Sequence, residues 1–323
     1  MRKNITVFKK PALKNPFFIA AWPGMGDVAL KAAIFLKDKL NAEEFALFNP
    51  ENFFQPQGVE IQDQIIAISK LPQGKFYFYK NKSLKNDLII FISESQPLLE
   101  KNYEYAKQII SFIKDFKVKM VLTFAALPSP IEHTNGPGVW AVSTHKEILE
   151  QLKKLSVQIM PTGQISGLNG LILGVAKNAG IPGLCLLGEI PFYTIQIENP
   201  LSSFAVLDVL AKIINIKIDC RELKDHANLI NQEIEKFIDF LKNPESHHKP
   251  IGSEEIEKIK ESLNAYTRIP GSVKKKIEKL FEDAKYDISQ ANELKRELDH
   301  WNIYKEYEDR FLDLFRKRQE KNN

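Results

Sequence analysis

The chain has 323 residues, 44% of them hydrophobic and 27% charged, an ordinary globular composition with room for one large domain or two. Forty-five basic residues against forty-one acidic ones leave a net charge of only +4, too little to argue for a nucleic-acid partner or an anionic membrane surface. No apolar run approaches the roughly eighteen residues of a membrane span, and the basic N-terminus, MRKNITVFKKPALKNP, lacks the apolar stretch of a signal peptide. A cytoplasmic protein is the expectation. Cys185 lies in an apolar run and Cys220 is expected to close a strand, so both read as reduced, buried thiols. Neither cysteine has zinc-ligand spacing, and no metal or cofactor is implied.

In chain order, FFIAAW (17–22) predicts a buried first strand. Pro23-Gly24-Met25-Gly26 then turns, and Asp27 is placed to cap the helix VALKAAIFLKDKL. Phe45 to Phe48 predicts the next strand. The aromatic stretch from Asn49 to Tyr79 predicts small strands or hairpins laid against the main sheet. Asp87 to Ser93 reads as a central strand, followed by a helix from about Leu98 to Asp115 and a strand from Val118 to Thr123. Residues 125–138, with Pro128, Pro130 and Pro137, show no periodicity and predict a long loop, a common place for function. Val139 to Ser143 predicts a strand and Thr144 to Leu155 a helix.

Residues 161–191, PTGQISGLNGLILGVAKNAGIPGLCLLGEIP, are the most informative stretch. Gly163, Gly167 and Gly170 permit sharp turning and close approach. Leu168 to Ala179 predicts a nearly apolar helix, stopped at Gly180-Ile181-Pro182-Gly183. Leu184 to Leu187 predicts a strand buried on both faces, with Gly188-Glu189 at its end. In open α/β sheets ligands bind outside the carboxyl ends of strands, so this segment points to a functional edge. Leu201 to Ile214 predicts a buried helix. Alternation of strand and helix through residues 17–219 predicts a three-layer α/β/α sandwich, placed here in a core domain of residues 1–222.

The remaining residues, 223–323, read as an all-α extension. Ile230, Ile234, Phe237, Ile238 and Leu241 form one helical stripe. A polar break follows at 243–252, then a short helix from Ser253 to Tyr266 and a turn at Ile269-Pro270-Gly271. Apolar residues from Ile277 to Leu314 recur every three or four positions, which predicts a long amphipathic helix or helical hairpin broken near Asp299 to Asn302.

Candidate chemistry is sparse. Gly24-Met25-Gly26-Asp27-Val28-Ala29 matches the G-x-G-x-x-A form of the dinucleotide fingerprint between a strand and a helix. Asp27, however, sets a negative charge where a pyrophosphate would lie, and no acid follows the second strand at the expected place; a turn opening a helix explains the same residues. There is no P-loop, and none of Ser93, Ser95 and Ser166 sits in a G-x-S-x-G elbow. His133 and His145 have no spacing that ties them to a serine, and His247-His248 falls in a polar break. Glu94 and Glu189 each follow a buried strand, where a carboxylate could act as an acid or base, cap a helix or face water. The residues to test for ligand binding are Gly24, Gly26, Asp27, Gly167, Asn169 and Glu189.

Three blocks carry a family resemblance: residues 20–36 (AAWPGMGDVALKAAIFL), residues 161–191, and the helix from Pro200 with its L-D-V-L at 207–210. Together they resemble the proteasome assembly chaperone 2 family over roughly residues 15–220, and LKRELDHWNIYKEYEDRFLDLF (294–315) is similar to the C-terminal extension of longer prokaryotic members. The resemblance implies a phosphorylase/hydrolase-like α/β/α fold, homo- or hetero-oligomers, and a non-catalytic role with proteasome α-subunits as partners. Some members dock through a tail ending in a hydrophobic residue, tyrosine and any residue; this sequence ends Arg318 to Asn323 without it. Relatives also carry an ATP-grasp or carboxylate–amine ligase label, for which no triphosphate-binding lysine with Mg-binding carboxylates stands at a suggestive spacing. Two readings follow: a protein-interaction or assembly chaperone that self-associates, or an enzyme or binder of a nucleoside- or phosphate-like compound, with Asn169 orienting the ligand and Glu189 as base.

Overall fold

The computed structural model describes residues 4–56, 58–62, 64–81, 86–242, 271–287, 290–300 and 304–319. Its backbone forms two units, Met1–Ile234 and Glu235–Asn323.

The first unit is organised by a mixed nine-stranded sheet. Its strands are β1 (Ile5–Val7), β2 (Phe17–Ala21), β3 (Glu43–Phe48), β6 (Gly74–Tyr79), β7 (Leu88–Ser93), β8 (Met120–Ser129), β9 (Val139–Ser143), β10 (Gln158–Ile159) and β11 (Gly183–Pro191). The spatial order is β1-β3-β6-β7-β2-β8-β11-β9-β10. The centre, β7-β2-β8-β11, is parallel throughout. Flanking it, β6 runs antiparallel to β7 and β3 antiparallel to β6 on one side, and β9 runs antiparallel to β11 on the other. Parallel strands need cover on both faces, and the sequence supplies it: every residue of β2 and β7 is buried.

Alternation along the strands sorts side chains into two cores. Phe17, Ile19 and Ala21 of β2 face one way with Leu88 and Ile90 of β7, against Ala32 and Leu36 of α1 (Val28–Lys39) and Val206 and Leu210 of α5 (Pro200–Ile214). Phe18, Ala20, Ile89 and Phe91 face the other way, against Tyr105 and Ile109 of α2 (Asn102–Lys114) and Ile172 of α4 (Leu168–Asn178). The expected three layers are therefore present. The second core is the aromatic one: Phe76 lies 4.5 Å from Phe91 and 4.8 Å from Phe112 between ring centroids, and Tyr105 lies 4.3 Å from Phe48.

Several expectations are corrected. The last strand runs on to Pro191, so Glu189 sits within it and not beyond its end. β8 extends to Ser129, so residues 125–129 of the expected loop are strand, paired with β11 through Pro191. Pairing with β11 supplies what periodicity could not show. Helix α3 (Lys146–Leu152) is shorter than expected and ends in a 3-10 turn, Lys153–Leu155. No strand precedes Cys220; the residue leads into α6 (Arg221–Lys242), which buries Leu223 and Ala227 on one stripe with Ile230 and Ile234. The aromatic stretch divides. Phe53 and Phe54 dock on Tyr105, at 5.1 and 5.9 Å, and β6 joins the main sheet, whereas β4 (Val59–Gln62) and β5 (Ile65–Ile68) form a separate two-stranded sheet.

In the second unit, α7 (Gly271–Tyr286), α8 (Gln290–His300) and α9 (Tyr304–Gln319) share a core of their own. Ile277, Phe281 and Ala284 meet Leu294, Leu298 and Phe311 there. Arg310 forks onto Glu278 at 2.8 and 2.6 Å and lies 4.1 Å over the Phe281 ring. The expected single helix or hairpin is three helices, with an additional interruption after Tyr286. The polar break at 243–252, the helix at Ser253 to Tyr266, most of the turn at Ile269-Pro270-Gly271 and residues 301–303 lie outside the described residues.

Candidate functional site

The carboxyl ends of β7, β2, β8 and β11 lie along one edge, and five of the six singled-out residues fall in segments that leave or approach it: Gly24, Gly26 and Asp27 after β2, and Gly167 and Asn169 where α4 begins its return. Glu189 lies near the end of β11.

Past the end of β2, Trp22 is fully buried and its backbone needs partners. Asn169 provides both. Its Oδ1 accepts from Trp22 N–H at 3.0 Å and its Nδ2 donates to Trp22 C=O at 3.1 Å. A buried side-chain amide thus pairs with one backbone residue as a neighbouring strand would. Gln96, beyond β7, repeats the device one step along. Its Nε2 donates to Pro23 C=O at 2.8 Å, and its Oε1 accepts from Leu168 N–H at 3.1 Å at the start of α4. Gly167 precedes that helix with φ 76° and packs against the Gln96 side chain. Gln96 escaped the sequence reading. The only available signal was its place just after a wholly apolar strand, at the same sheet edge.

The Gly24–Asp27 turn is tied to the chain before α5. Gly26 N–H donates to Ile195 C=O at 2.7 Å, and Gly26 C=O accepts from Asn199 N–H at 2.9 Å. Gly26 holds φ 59°, a conformation that favours glycine, and a Cβ there would sit tightly, 3.3 Å from the Asn199 side chain and 3.4 Å from that of Ile190. Asp27 does not cap α1: it lies in the left-handed region at φ 47° and makes no side-chain cap hydrogen bond. A 3-10 turn, Met25–Asp27, leads into the helix; Asp27 holds the N-cap position the sequence suggested, but its left-handed backbone leaves the side chain without the expected cap hydrogen bond. Asn199 caps α5 instead, accepting from Ser202 N–H at 3.0 Å.

Glu189 is half-buried and accepts three hydrogen bonds. Its Oε2 takes Gly138 N–H at 2.9 Å; its Oε1 takes Trp140 Nε1–H at 2.9 Å and Ser129 Oγ–H at 3.3 Å. A Cβ on Gly138 would come within 2.7 Å of that carboxylate. The carboxylate thereby fastens the loop between β8 and β9 onto β11. From just beyond β11, Tyr193 reaches the same loop: it accepts from His133 N–H at 2.9 Å, contacts His133 Nδ1 at 2.9 Å and donates to Glu132 at 3.1 Å. Burial first, and then the Glu132 carboxylate, push the Tyr193 hydroxyl up to about 12.

The other candidates are dispersed. Ser93 donates to Ser95 C=O at 2.8 Å, and Glu94 accepts from Gln73 N–H at 2.9 Å. His145 lies at the opposite end of β9 from Val139, exposed, with its Nδ1 2.7 Å from Thr144 Oγ1. His247-His248 lies outside the described residues. Among the described residues, no group of three or more His, Cys, Asp or Glu stands close enough to hold a metal ion, and no helix is long and apolar enough to cross a membrane.

What this edge defines is an α/β/α protein in which Asn169, Gln96 and Glu189 are spent on groups of its own chain, giving a set of turns held in fixed positions. Comparison with known proteins agrees with that class. The PAC2 family pattern matches residues 18–238, and the chain belongs to the PAC2 family. It is 29% identical over 254 residues to an uncharacterised protein of Methanocaldococcus jannaschii, MJ1210, covering 76% of this chain and 93% of that one. Among solved structures it is similar to Pyrococcus furiosus PbaB, described as an archaeal proteasome activator, with TM-score 0.63 and 28% identity over 72% of this chain and 97% of PbaB. Pyrococcus furiosus PbaA, described as an archaeal homolog of proteasome-assembly chaperone, shares the fold with TM-score 0.56 and 24% identity, over 72% of this chain and 95% of PbaA.

Proposed function

We propose that this protein is a non-catalytic interaction protein that works on proteasome assembly or activation, in the cytoplasm and as a homo-oligomer, with proteasome α-subunits as its partners. The observation that carries the reading is the likeness to PbaB, which extends over nearly all of that protein. The chemistry of the sheet edge supports it. Asn169 and Gln96 spend both ends of their amides, and Glu189 both oxygens, on neighbouring groups of this chain. A ligand held by Asn169 or Glu189 would have to displace those bonds, at about 1–3 kcal/mol for each buried group left without a partner.

Affinity purification of the full chain from its host, read by mass spectrometry, is the direct test. Enrichment of proteasome α-subunits over a tag-only control is expected, and recovery of no α-subunit above background overturns the reading. The contrasting reading, a nucleoside or phosphate ligand at Gly24, Gly26, Asp27, Gly167, Asn169 and Glu189, is tested by thermal shift with nucleosides, nucleotides and phosphate. A ligand at one hundred times its Kd would stabilise by about 2.7 kcal/mol. A flat response is expected; a saturable rise in melting temperature would favour the ligand.

A further inference from the structure

The β4–β5 hairpin stands apart from the chemistry described above. Its register pairs Val59 with Ile68 and Ile61 with Ile66, so four β-branched residues share one face. Ile65 lies on the other face, across from position 62. Val59, Ile61, Ile65, Ile66 and Ile68 are 57–74% exposed, and among the described residues they belong to none of the three apolar cores. Among the described residues the hairpin has no third strand, and two strands alone are marginal in water. Its root is firm by contrast. Phe53 and Phe54 pack on Tyr105, and Gln73 exchanges hydrogen bonds with Glu94 as the chain returns to β6. A firmly rooted arm with one face of four exposed β-branched residues is a surface built to be covered.

We propose that the hairpin is an arm by which two copies of this chain hold each other, each copy covering the face that Val59, Ile61, Ile66 and Ile68 make on the other's hairpin. The proposal deepens the homo-oligomer reading above by naming its contact. Two features point to a second copy. The first is charge. A two-fold contact sets like groups near one another, so charges at its centre repel; the face made by Val59, Ile61, Ile66 and Ile68 carries none. The second is area. An aliphatic side chain of this size holds roughly 100 Å² of apolar surface, so the four of this face at their observed exposure offer on the order of 270 Å² per arm. A partner covering one arm once would remove about 540 Å² in total, the size of a crystal contact. Two reciprocal arms remove about 1,100 Å², above the roughly 1,000 Å² that a specific interface clears.

The test is the solution mass of the full chain by light scattering and sedimentation across a wide concentration range. The wild type is expected to dimerise or form a multiple of dimers. Ile61→Lys with Ile66→Lys is expected to give a monomer of unchanged far-ultraviolet circular dichroism. Should that pair misfold, Ile66→Thr keeps a β-branched residue in the strand and is expected to weaken association about tenfold, or about 1.4 kcal/mol. A monomeric wild type overturns the proposal, as does a folded lysine variant of wild-type mass. Capture of α-subunits by the monomeric variant would leave the functional reading standing; loss of α-subunits by a wild type that still dimerises would leave the arm standing.

Discussion

Strands β7 and β5 are written in nearly the same letters, LIIFIS and IIAI, and meet opposite fates. Every residue of β7 is buried between two helical layers, and every residue of β5 is exposed. Composition alone does not distinguish them. β7 has strands on both sides and apolar helices above and below, whereas among the described residues β5 pairs only with β4. The same aliphatic side chains therefore stabilise the monomer in one place and offer a contact surface in the other.

The strongest way to break that contrast is Phe91→Ala. Phe91 is fully buried beside Trp22 and Phe76, so the change is expected to cost about 3–5 kcal/mol in urea unfolding followed by tryptophan fluorescence. Asn169→Leu comes next. It leaves both backbone groups of buried Trp22 without partners and is expected to cost about 3 kcal/mol by the same measurement. Glu189→Gln keeps the shape but weakens the acceptor for Gly138, Trp140 and Ser129. About 1–2 kcal/mol is expected, with a red shift in emission as Trp140 loosens.

Alkaline pH probes the buried side of the contrast through Cys185, in β11. Burial pushes its thiol from 9.0 up to about 12. The unfolded thiol releases its proton first, so the unfolded state binds fewer protons between those values and stability falls as pH rises. The slope approaches about 1.4 kcal/mol per pH unit above pH 9 from this group, and Cys185→Ala is expected to remove that share of it in urea midpoints taken at pH 8 to 10. Buried Cys185 is likewise expected to resist thiol reagents until the chain unfolds. The smallest effect belongs to the hairpin: Ile66→Ala, measured where the protein is monomeric, is expected to change stability by less than about 0.5 kcal/mol. A cost comparable to that of Phe91→Ala would mean that the hairpin is part of the monomer's core, and the contrast would fail.

Much of the central fold was legible. The apolar runs at 17–22, 87–93 and 184–187 announce strands buried on both faces, and the turns at Gly24 and Gly180 fall where helices begin and end. The site was legible as a place more than as chemistry. The sequence directed attention to Gly26, Asn169 and Glu189 but could not say that Asn169 completes the pairing of Trp22, since 147 positions separate the two. Gln96 has no motif at all; its role exists only because β7 and β2 are neighbours.

Local pattern determined the elements, because periodicity and turn residues act over a few positions and are written in the chain itself. Family membership rested on the same short blocks. Tertiary structure alone decided which aliphatic strand would be enclosed, how far β8 and β11 would run, and which backbone groups each buried amide would meet. Those outcomes depend on pairing between distant segments, and burial is a property of what surrounds a side chain, which no stretch of its own sequence contains.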